Sequence, residues 1–229
     1  MLALRNTPQG PHQGQPVRIT GEPLKRARAA VLLVHARGAQ AHDILSLANR
    51  LAQPGFVFFT PQAAGNSWYP NSFLAPVSEN EPWLSSALTF IGDVLAIIAK
   101  DGIPPENPIL LGVFQGASLA LEFAARNARR YGGLVALNGA LIGPQDAPRE
   151  YAGSLAGTPV FLGGSDADAN FPQTRVQASA RVLRKLGASV TERFYPGLLE
   201  QAINQDELDF VRGMMRALLP APADRLDSC

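Results

Sequence analysis

Short runs of apolar residues alternate with longer amphipathic stretches along most of the chain. Continuous apolar runs are typical of strands buried on both faces of a parallel sheet, whereas apolar positions three and four residues apart predict helices. The pattern predicts strands at 29–35, 55–60, 109–114, 134–137, 159–163 and 190–195, and helices at 42–51, 83–100, 116–130, 172–186 and 206–219. The last strand alternates apolar and polar residues, which favours a place near the sheet edge.

This order of elements predicts an α/β fold in one domain. Strands separated by helices form right-handed βαβ units, so we expect a mostly parallel central sheet flanked by helices over residues 17–219. Residues 1–16, rich in Pro, Gly and Gln, are interpreted as a flexible lead-in, and 220–229 as a flexible tail. In such folds the ligand site lies at the carboxyl ends of the strands.

Composition narrows the classes of function. Twenty Lys and Arg nearly balance 19 Asp and Glu, which argues against nucleic acid or an anionic membrane surface as partner. The single cysteine, Cys229, and a total of three histidines predict no disulfide, no metal site and no cofactor. The N-terminus lacks the apolar core of a signal peptide, and polar residues interrupt every long apolar stretch. We therefore expect a cytoplasmic protein, as a monomer or homodimer.

Six short segments in the loops after the strands carry a family resemblance. They are VHARG at 34–38, PQAAGNSWYP at 61–70, GVFQG at 112–116, LVALNG at 134–139, GSDADANFP at 164–172 and YPG at 195–197. In this order they resemble the phospholipase/carboxylesterase branch of the α/β-hydrolase fold, over residues 29–219. The resemblance implies that fold and an ancestry in carboxylic ester hydrolysis.

The positions of the family's catalytic triad are changed. Its elbow motif is G-x-S-x-G, with an exposed nucleophilic serine, and here Phe114 stands at the serine position. Asp168 stands at the position of the family's catalytic acid, and we interpret it as a remnant of the triad. The family's histidine position falls on Glu200 when counted forward from the YPG segment, or on Gln201 when counted back from 203–204. No histidine follows His42 in the chain, so a serine–histidine relay through the usual base is excluded.

The loop that corresponds to the family's oxyanion loop is changed as well. The family's His-Gly-x-Gly reads here as His35, Ala36, Arg37 and Gly38. The methyl group of Ala36 narrows the backbone conformations open to this loop. Backbone N–H groups of Arg37 and Gln115 remain candidates to receive negative charge, and we expect His35 to orient its loop. Asn170 stands where close relatives tend to carry histidine.

These changes predict a rebuilt pocket for a small apolar or aromatic molecule. Its expected lining comprises Phe114, Trp68, Tyr69, Phe171, Leu198, Leu199, Ala36, Arg37 and Asn170. A carboxylate at Glu200 among such groups would be poorly solvated, which raises its pKa and suits it to act as a general base, with Gln115 assisting. The alternatives are that Glu200 points into water, and that Trp68 and Tyr69 only pack beneath a long loop.

Three functions therefore remain open. The first is general-base proton transfer by Glu200 on the bound molecule. The second is binding or scaffolding without catalysis. The third is residual ester hydrolysis through another nucleophile, for which Ser118 is a candidate. Because the differences gather in the pocket while the strands are intact, we interpret the site as rewritten, either by natural recruitment to another task or by engineering.

Overall fold

The seven strands of the computed structural model form one sheet, whose carboxyl ends carry the loops named above. The structure describes residues 10–144, 149–166, 171–197 and 203–219. The strands are β1 (Val17–Gly21), β2 (Ala29–Val34), β3 (Phe56–Pro61), β4 (Pro108–Val113), β5 (Gly133–Leu137), β6 (Pro159–Ser165) and β7 (Ser189–Tyr195). Their order across the sheet is β1-β3-β2-β4-β5-β6-β7. All neighbours are parallel except β1, which pairs antiparallel with β3. The predicted α/β fold with a mostly parallel sheet is confirmed.

The burial of each strand follows its place in the sheet. Every residue of β2 and β3 is buried, as their continuous apolar runs predict. Every residue of β7 is at least partly exposed, in agreement with its position at the edge. The sequence pattern did not predict β1, because a five-residue strand with two polar side chains has little periodicity. This strand forms by pairing with the outer edge of β3.

Five helices cover the two faces of the sheet. They are α1 (Leu45–Leu51), α2 (Trp83–Lys100), α3 (Gln115–Arg126), α4 (Gln173–Lys185) and α5 (Gln205–Leu218). Residues of α2, α3 and α4 share one apolar core with one face of the sheet, and those of α1 and α5 share another core with the opposite face. Both bounds of α2 agree with prediction. Helix α1 begins three residues later than predicted, and α3 ends four residues earlier.

Helix α2 is long and apolar enough to cross a membrane by length and composition alone. Half of its most apolar stretch is buried inside the structure. Its buried side chains, among them Phe90, Ile91 and Val94, belong to the core shared with α3 and the sheet. The core helix of a soluble protein passes the same test of length and composition, so the length and composition of α2 are weak evidence for a membrane span.

The described part of the expected lead-in is packed against the domain. His12 is fully buried, and its backbone N–H donates to the Ser86 hydroxyl of α2 at 3.0 Å. The Gln13 side chain bonds both the hydroxyl and the carbonyl of Ser86. His12 and Gln13 therefore have specific hydrogen-bond partners on α2. Their polar side chains are satisfied by partners far along the chain, which composition does not reveal. The expected tail, 220–229, lies outside the described residues.

Candidate functional site

A sharp turn between β4 and α3 places Phe114 above the carboxyl end of the sheet. Strand β4 ends at Val113, helix α3 begins at Gln115, and Phe114 between them has φ 51° and ψ −115°. A positive φ is unusual for a bulky side chain and is held only where the surroundings determine it. Here the Phe114 N–H donates to the carbonyl of Leu137 at 2.9 Å. The strained conformation of a strand-to-helix elbow is thus present with phenylalanine at its apex.

Two glycines allow this turn to fit beneath its neighbours. A β-carbon on Gly112 would lie 2.2 Å from the carbonyl oxygen of Gly116, and one on Gly116 would lie 2.1 Å from that of Val34. Both distances are far below van der Waals contact, so α3 can approach β2 and β4 only when these positions lack side chains. The pattern of glycines around Phe114 is therefore explained by packing.

An open cavity of about 410 Å³ lies beside the turn. Its lining residues are Arg37, Tyr69, Asn71, Ser72, Phe73, Phe114, Gln115 and Phe171. The rings of Phe73 and Phe171 stack with centroids 4.6 Å apart, and Phe114 is tilted against Phe171 at 6.2 Å. The structure thus brings five of the expected site residues together. It adds Phe73, which sequence reasoning missed because the segment around it has no periodicity.

The Gln115 side chain joins α3 to the loop that forms one wall of the cavity. Its Oε1 accepts the backbone N–H of Trp68 at 2.9 Å, and its Nε2 donates to the carbonyl of Tyr69 at 2.8 Å. The backbone N–H of Gln115 lies in the first turn of α3, where N–H groups lack partners within the helix and the helix dipole is positive. Gln115 therefore braces the wall of the cavity.

The Arg37 guanidinium braces the same loop from the other side. It donates to the carbonyls of Pro70 at 2.8 Å and Tyr69 at 2.9 Å, and also to that of Asn71. Ala36 beside it is half-buried, and its carbonyl accepts a bond from the His35 ring at 2.7 Å. These contacts fix the shape of the loop over 35–38 and that of its neighbour over 69–71.

Trp68 lies behind the cavity wall and does not line it. Its side chain is 0% exposed, its indole Nε1 donates to the carbonyl of His35 at 2.8 Å, and it packs between the rings of His12 and His35. This placement agrees with the alternative that Trp68 packs beneath the loop. The reason is that a buried indole N–H needs an acceptor, which the β2 end supplies.

Both buried histidines are held as neutral rings. His35 donates from Nδ1 to the Ala36 carbonyl and accepts the Ala63 N–H at Nε2, at 2.7 and 3.1 Å. His12 accepts the Ala64 N–H at Nδ1, at 3.1 Å, and donates from Nε2 to the Trp68 carbonyl, at 2.9 Å. Burial lowers the pKa of each ring. His35 therefore orients its loop, as expected from the sequence.

A buried carboxylate lies beside Gly163 of β6. Glu207, in the first turn of α5, is 1% exposed, and it forms a capping box with Asn204. Its Oε2 accepts the Asn204 N–H at 3.0 Å, while its Oε1 has no hydrogen-bond partner among the described residues. Burial is the main cause that raises the pKa of Glu207 to about 7. Sequence reasoning missed this group, because the capping pattern does not reveal burial.

Several expected site residues lie outside the described residues: Asp168, Asn170, Leu198, Leu199, Glu200 and Gln201. The residues next to them are joined, since the Gly197 N–H donates to Asp166 Oδ1 at 3.2 Å. Ser118 is 0% exposed within α3, and its Oγ accepts the Ala140 N–H at 3.3 Å. No group of three metal-ligating side chains occurs in the described ranges.

Comparison with known proteins gives consistent results. The sequence profile described as Phospholipase/Carboxylesterase matches residues 17–219. A crystal structure of a phospholipase/carboxylesterase from Dyadobacter fermentans has a TM-score of 0.84 and 40% identity, covering 91% of this chain and 99% of that one. Acyl-protein thioesterase 1 of Gibberella zeae is 31% identical over 52% of this chain, and a probable carboxylesterase of Oryza sativa is 28% identical over 69%. The matches span 51% and 60% of those two relatives.

Proposed function

Because the chain belongs to the phospholipase/carboxylesterase family, we propose that it is a member without covalent serine catalysis, whose cavity binds a small apolar or aromatic molecule. The observation that carries this proposal is Phe114 at the apex of the elbow, with its side chain on the cavity. A phenyl ring has no lone pair with which to attack a carbonyl. Function is therefore inferred from the residues of the site and not from the fold.

The shape and chemistry of the cavity support an aromatic ligand. Its volume of about 410 Å³ lies within the range of small-molecule sites. The rings of Phe73, Phe114 and Phe171 offer faces and edges for stacking. A polar atom on the ligand would meet the N–H groups at the start of α3 or the side chains of Asn71 and Ser72. The site thus favours a flat molecule with one polar group.

Ligand binding is tested by thermal unfolding with indole or naphthalene, each at concentrations up to its solubility limit. We expect a concentration-dependent rise in Tm, since a ligand that binds the folded state stabilises it. Phe171→Ala should abolish the rise, while Leu74→Ala, at an exposed side chain away from the cavity lining, should retain it. An unchanged Tm with both probes would count against an aromatic site.

The absence of serine catalysis is tested by intact-protein mass after exposure to excess fluorophosphonate. We expect no adduct. The competing function, ester hydrolysis through Ser118, predicts a single adduct at that residue and turnover of short-chain aryl esters that Ser118→Ala removes. The burial of Ser118 in α3 and its bond to the Ala140 N–H favour our expectation. An adduct on any serine would overturn this part of the proposal.

Proton transfer by Glu200 is a second candidate function. Glu200 belongs to the short connection between Gly197 and the start of α5, and the Gly197 N–H bonds Asp166 at the carboxyl end of β6. The carboxylate would take a proton from a C–H bond of the bound molecule, and the electron pair would remain on the substrate. Negative charge that develops there would be met by the N–H groups at the start of α3.

This activity is tested with 5-nitrobenzisoxazole, in which loss of the ring C–H proton breaks the N–O bond and releases a coloured phenolate. We expect a rate above that of free acetate, rising with pH through the pKa of one carboxyl group. Glu200→Gln should abolish it, and Glu150→Gln, outside the cavity lining, should leave it unchanged. A rate that is equal in the wild type and Glu200→Gln would leave only the binding function.

A further inference from the structure

Two histidines in the first part of the chain, His12 and His35, hold one loop by matching contacts. The ring of His12 accepts the backbone N–H of Ala64, and the ring of His35 accepts that of Ala63, both at 3.1 Å. Each ring uses its other nitrogen to donate to a carbonyl, that of Trp68 for His12 and that of Ala36 for His35. The two rings are therefore opposite tautomers, and they accept hydrogen bonds from the N–H groups of consecutive residues.

The loop that the two rings hold, residues 63–69, continues into the wall of the cavity. The N–H of Trp68 donates to Gln115 Oε1, and Gln115 Nε2 donates to the carbonyl of Tyr69. Both Tyr69 and Gln115 line the cavity. A chain of hydrogen bonds thus runs from the His12 ring through the Trp68 backbone and the Gln115 side chain to the Tyr69 carbonyl. The Trp68 indole adds a bond to the carbonyl of His35.

We propose that His12 and His35 form an acid-sensitive clamp, which at neutral pH holds residues 10–16 and the 63–69 loop in place and releases them when either ring is protonated. An imidazolium ring has donors at both nitrogens. A proton on His12 Nδ1 or His35 Nε2 would face the N–H of Ala64 or Ala63, which would replace a buried hydrogen bond by two opposed donors. That the release also weakens ligand binding at the cavity rests on the proposed function above.

Burial of the clamp favours neutral rings. The largest effect on each ring is burial, which lowers its pKa below the ordinary 6.5. The hydrogen bond of each ring to a backbone carbonyl raises its pKa by less than burial lowers it, while the charge of a protonated His35 lowers the pKa of His12 further. The carboxylate of Asp43 acts in the opposite sense on His35. The other side chains in ring contact with His12, those of Trp68 and Trp83, are uncharged.

Because the pKa of each ring is lowered, the clamp loses stability as the pH falls. Between the lowered pKa in the folded state and 6.5, the unfolded chain binds more protons than the folded protein. Stability from the clamp is therefore fully present above pH 6.5 and is lost as the pH falls through the folded-state values. The segment 10–16 depends on the His12 ring and on contacts with Ser86, so it should separate before the sheet unfolds.

Both tryptophans of the chain report on the clamp, since the His12 ring lies 5.5 Å from Trp68 and 5.4 Å from Trp83. We would record tryptophan emission of the full-length protein, without ligand, from pH 8 to pH 4. A red shift with a midpoint below 6.5 is expected, at a higher pH than the loss of far-UV circular dichroism. Emission that changes only together with circular dichroism would overturn a local release.

Nitrogen-15 NMR of the three histidines tests the contacts in the unmodified protein. We expect His12 as the Nε2–H tautomer, His35 as the Nδ1–H tautomer, and a pKa below the ordinary 6.5 for both. A pKa of His12 at or above 6.5, or His12 as the Nδ1–H tautomer, would overturn the proposal. This measurement needs no variant, so it decides the question even if substitutions prevent folding.

Substitution provides the matched control. Glutamine at position 12 keeps a donor and an acceptor without a titrating ring, so His12→Gln should remove at least half of the emission shift, whereas His42→Gln should leave it unchanged. An undiminished shift in His12→Gln would contradict the clamp. With a ligand identified as above, affinity in the wild type should fall at least tenfold across the same transition. If no ligand is found, the emission and NMR results still stand, because they do not depend on the proposed function.

Discussion

Replacing Glu207 by glutamine should stabilise the protein at alkaline pH. The Glu207 carboxylate is 1% exposed, and one of its oxygens has no hydrogen-bond partner among the described residues. Burying a charge without full compensation is unfavourable, so the group holds its proton to about pH 7. Glutamine has nearly the same shape and can keep the capping box with Asn204, since Glu and Gln serve equally at this position.

The magnitude follows from the pKa of Glu207. Its rise from 4.5 to about 7 corresponds to about 3 kcal/mol at about 1.4 kcal/mol per pKa unit. Between these two values the folded protein binds more protons than the unfolded chain, so the stability of the wild type falls as the pH rises through this window. Above pH 8 the full penalty applies to the wild type and is absent from Glu207→Gln.

Urea unfolding at pH 4.5, 6, 7, 8 and 9, followed by circular dichroism, gives the free energy of unfolding of each protein. We expect Glu207→Gln to match the wild type near pH 4.5 and to exceed it by about 3 kcal/mol at pH 8 and above. Glu106→Gln, at an exposed position, should follow the wild type at every pH. If Glu207→Gln were equal to or less stable than the wild type at pH 8, the carboxylate would not be buried as a charge, and the reasoning would be wrong.

Two further substitutions test the construction of the site. Gly116→Ala should prevent folding, because its β-carbon would lie 2.1 Å from the Val34 carbonyl oxygen. Gly92→Ala should be tolerated, because the nearest neighbour of its β-carbon would be Phe123 at 3.6 Å. Soluble yield and circular dichroism distinguish the two outcomes. Gln115→Leu should lower the free energy of unfolding by about 2–4 kcal/mol, because it leaves the Trp68 N–H and the Tyr69 carbonyl without their partner. The exposed Gln173→Leu should change it by less than about 0.5 kcal/mol, and equal effects of the two would argue against the bracing role of Gln115.

The candidate site was predictable only in part. The sequence places Tyr69, Phe114, Gln115 and Phe171 at the ends of strands or in the loops that follow them, and the structure brings these residues to one cavity. It does not place Trp68 there, because the indole is turned toward His12 and His35. The residues 198–202, with Glu200 among them, lie outside the described residues, so the role of Glu200 stays a prediction.

The sequence by itself determined the elements whose burial is local and regular. Strands β2 to β6 are recognisable because a strand covered on both faces is apolar throughout, and α2 because its apolar face repeats with the helical period. The order of the six loop motifs indicates the family, and the presence of phenylalanine at position 114 and the lack of histidine after His42 are visible in the sequence alone.

Only the tertiary structure decided which distant residues meet. Strand β1 needs the free edge of β3, and residues 10–16 need acceptors on α2. The His12 ring accepts a hydrogen bond from a backbone N–H group 52 positions away. The burial of Glu207 depends likewise on its packing against Gly163 of β6. Such contacts join polar groups far apart in the chain, and they leave no periodic trace because one hydrogen bond fixes one pair of residues and not a repeating face.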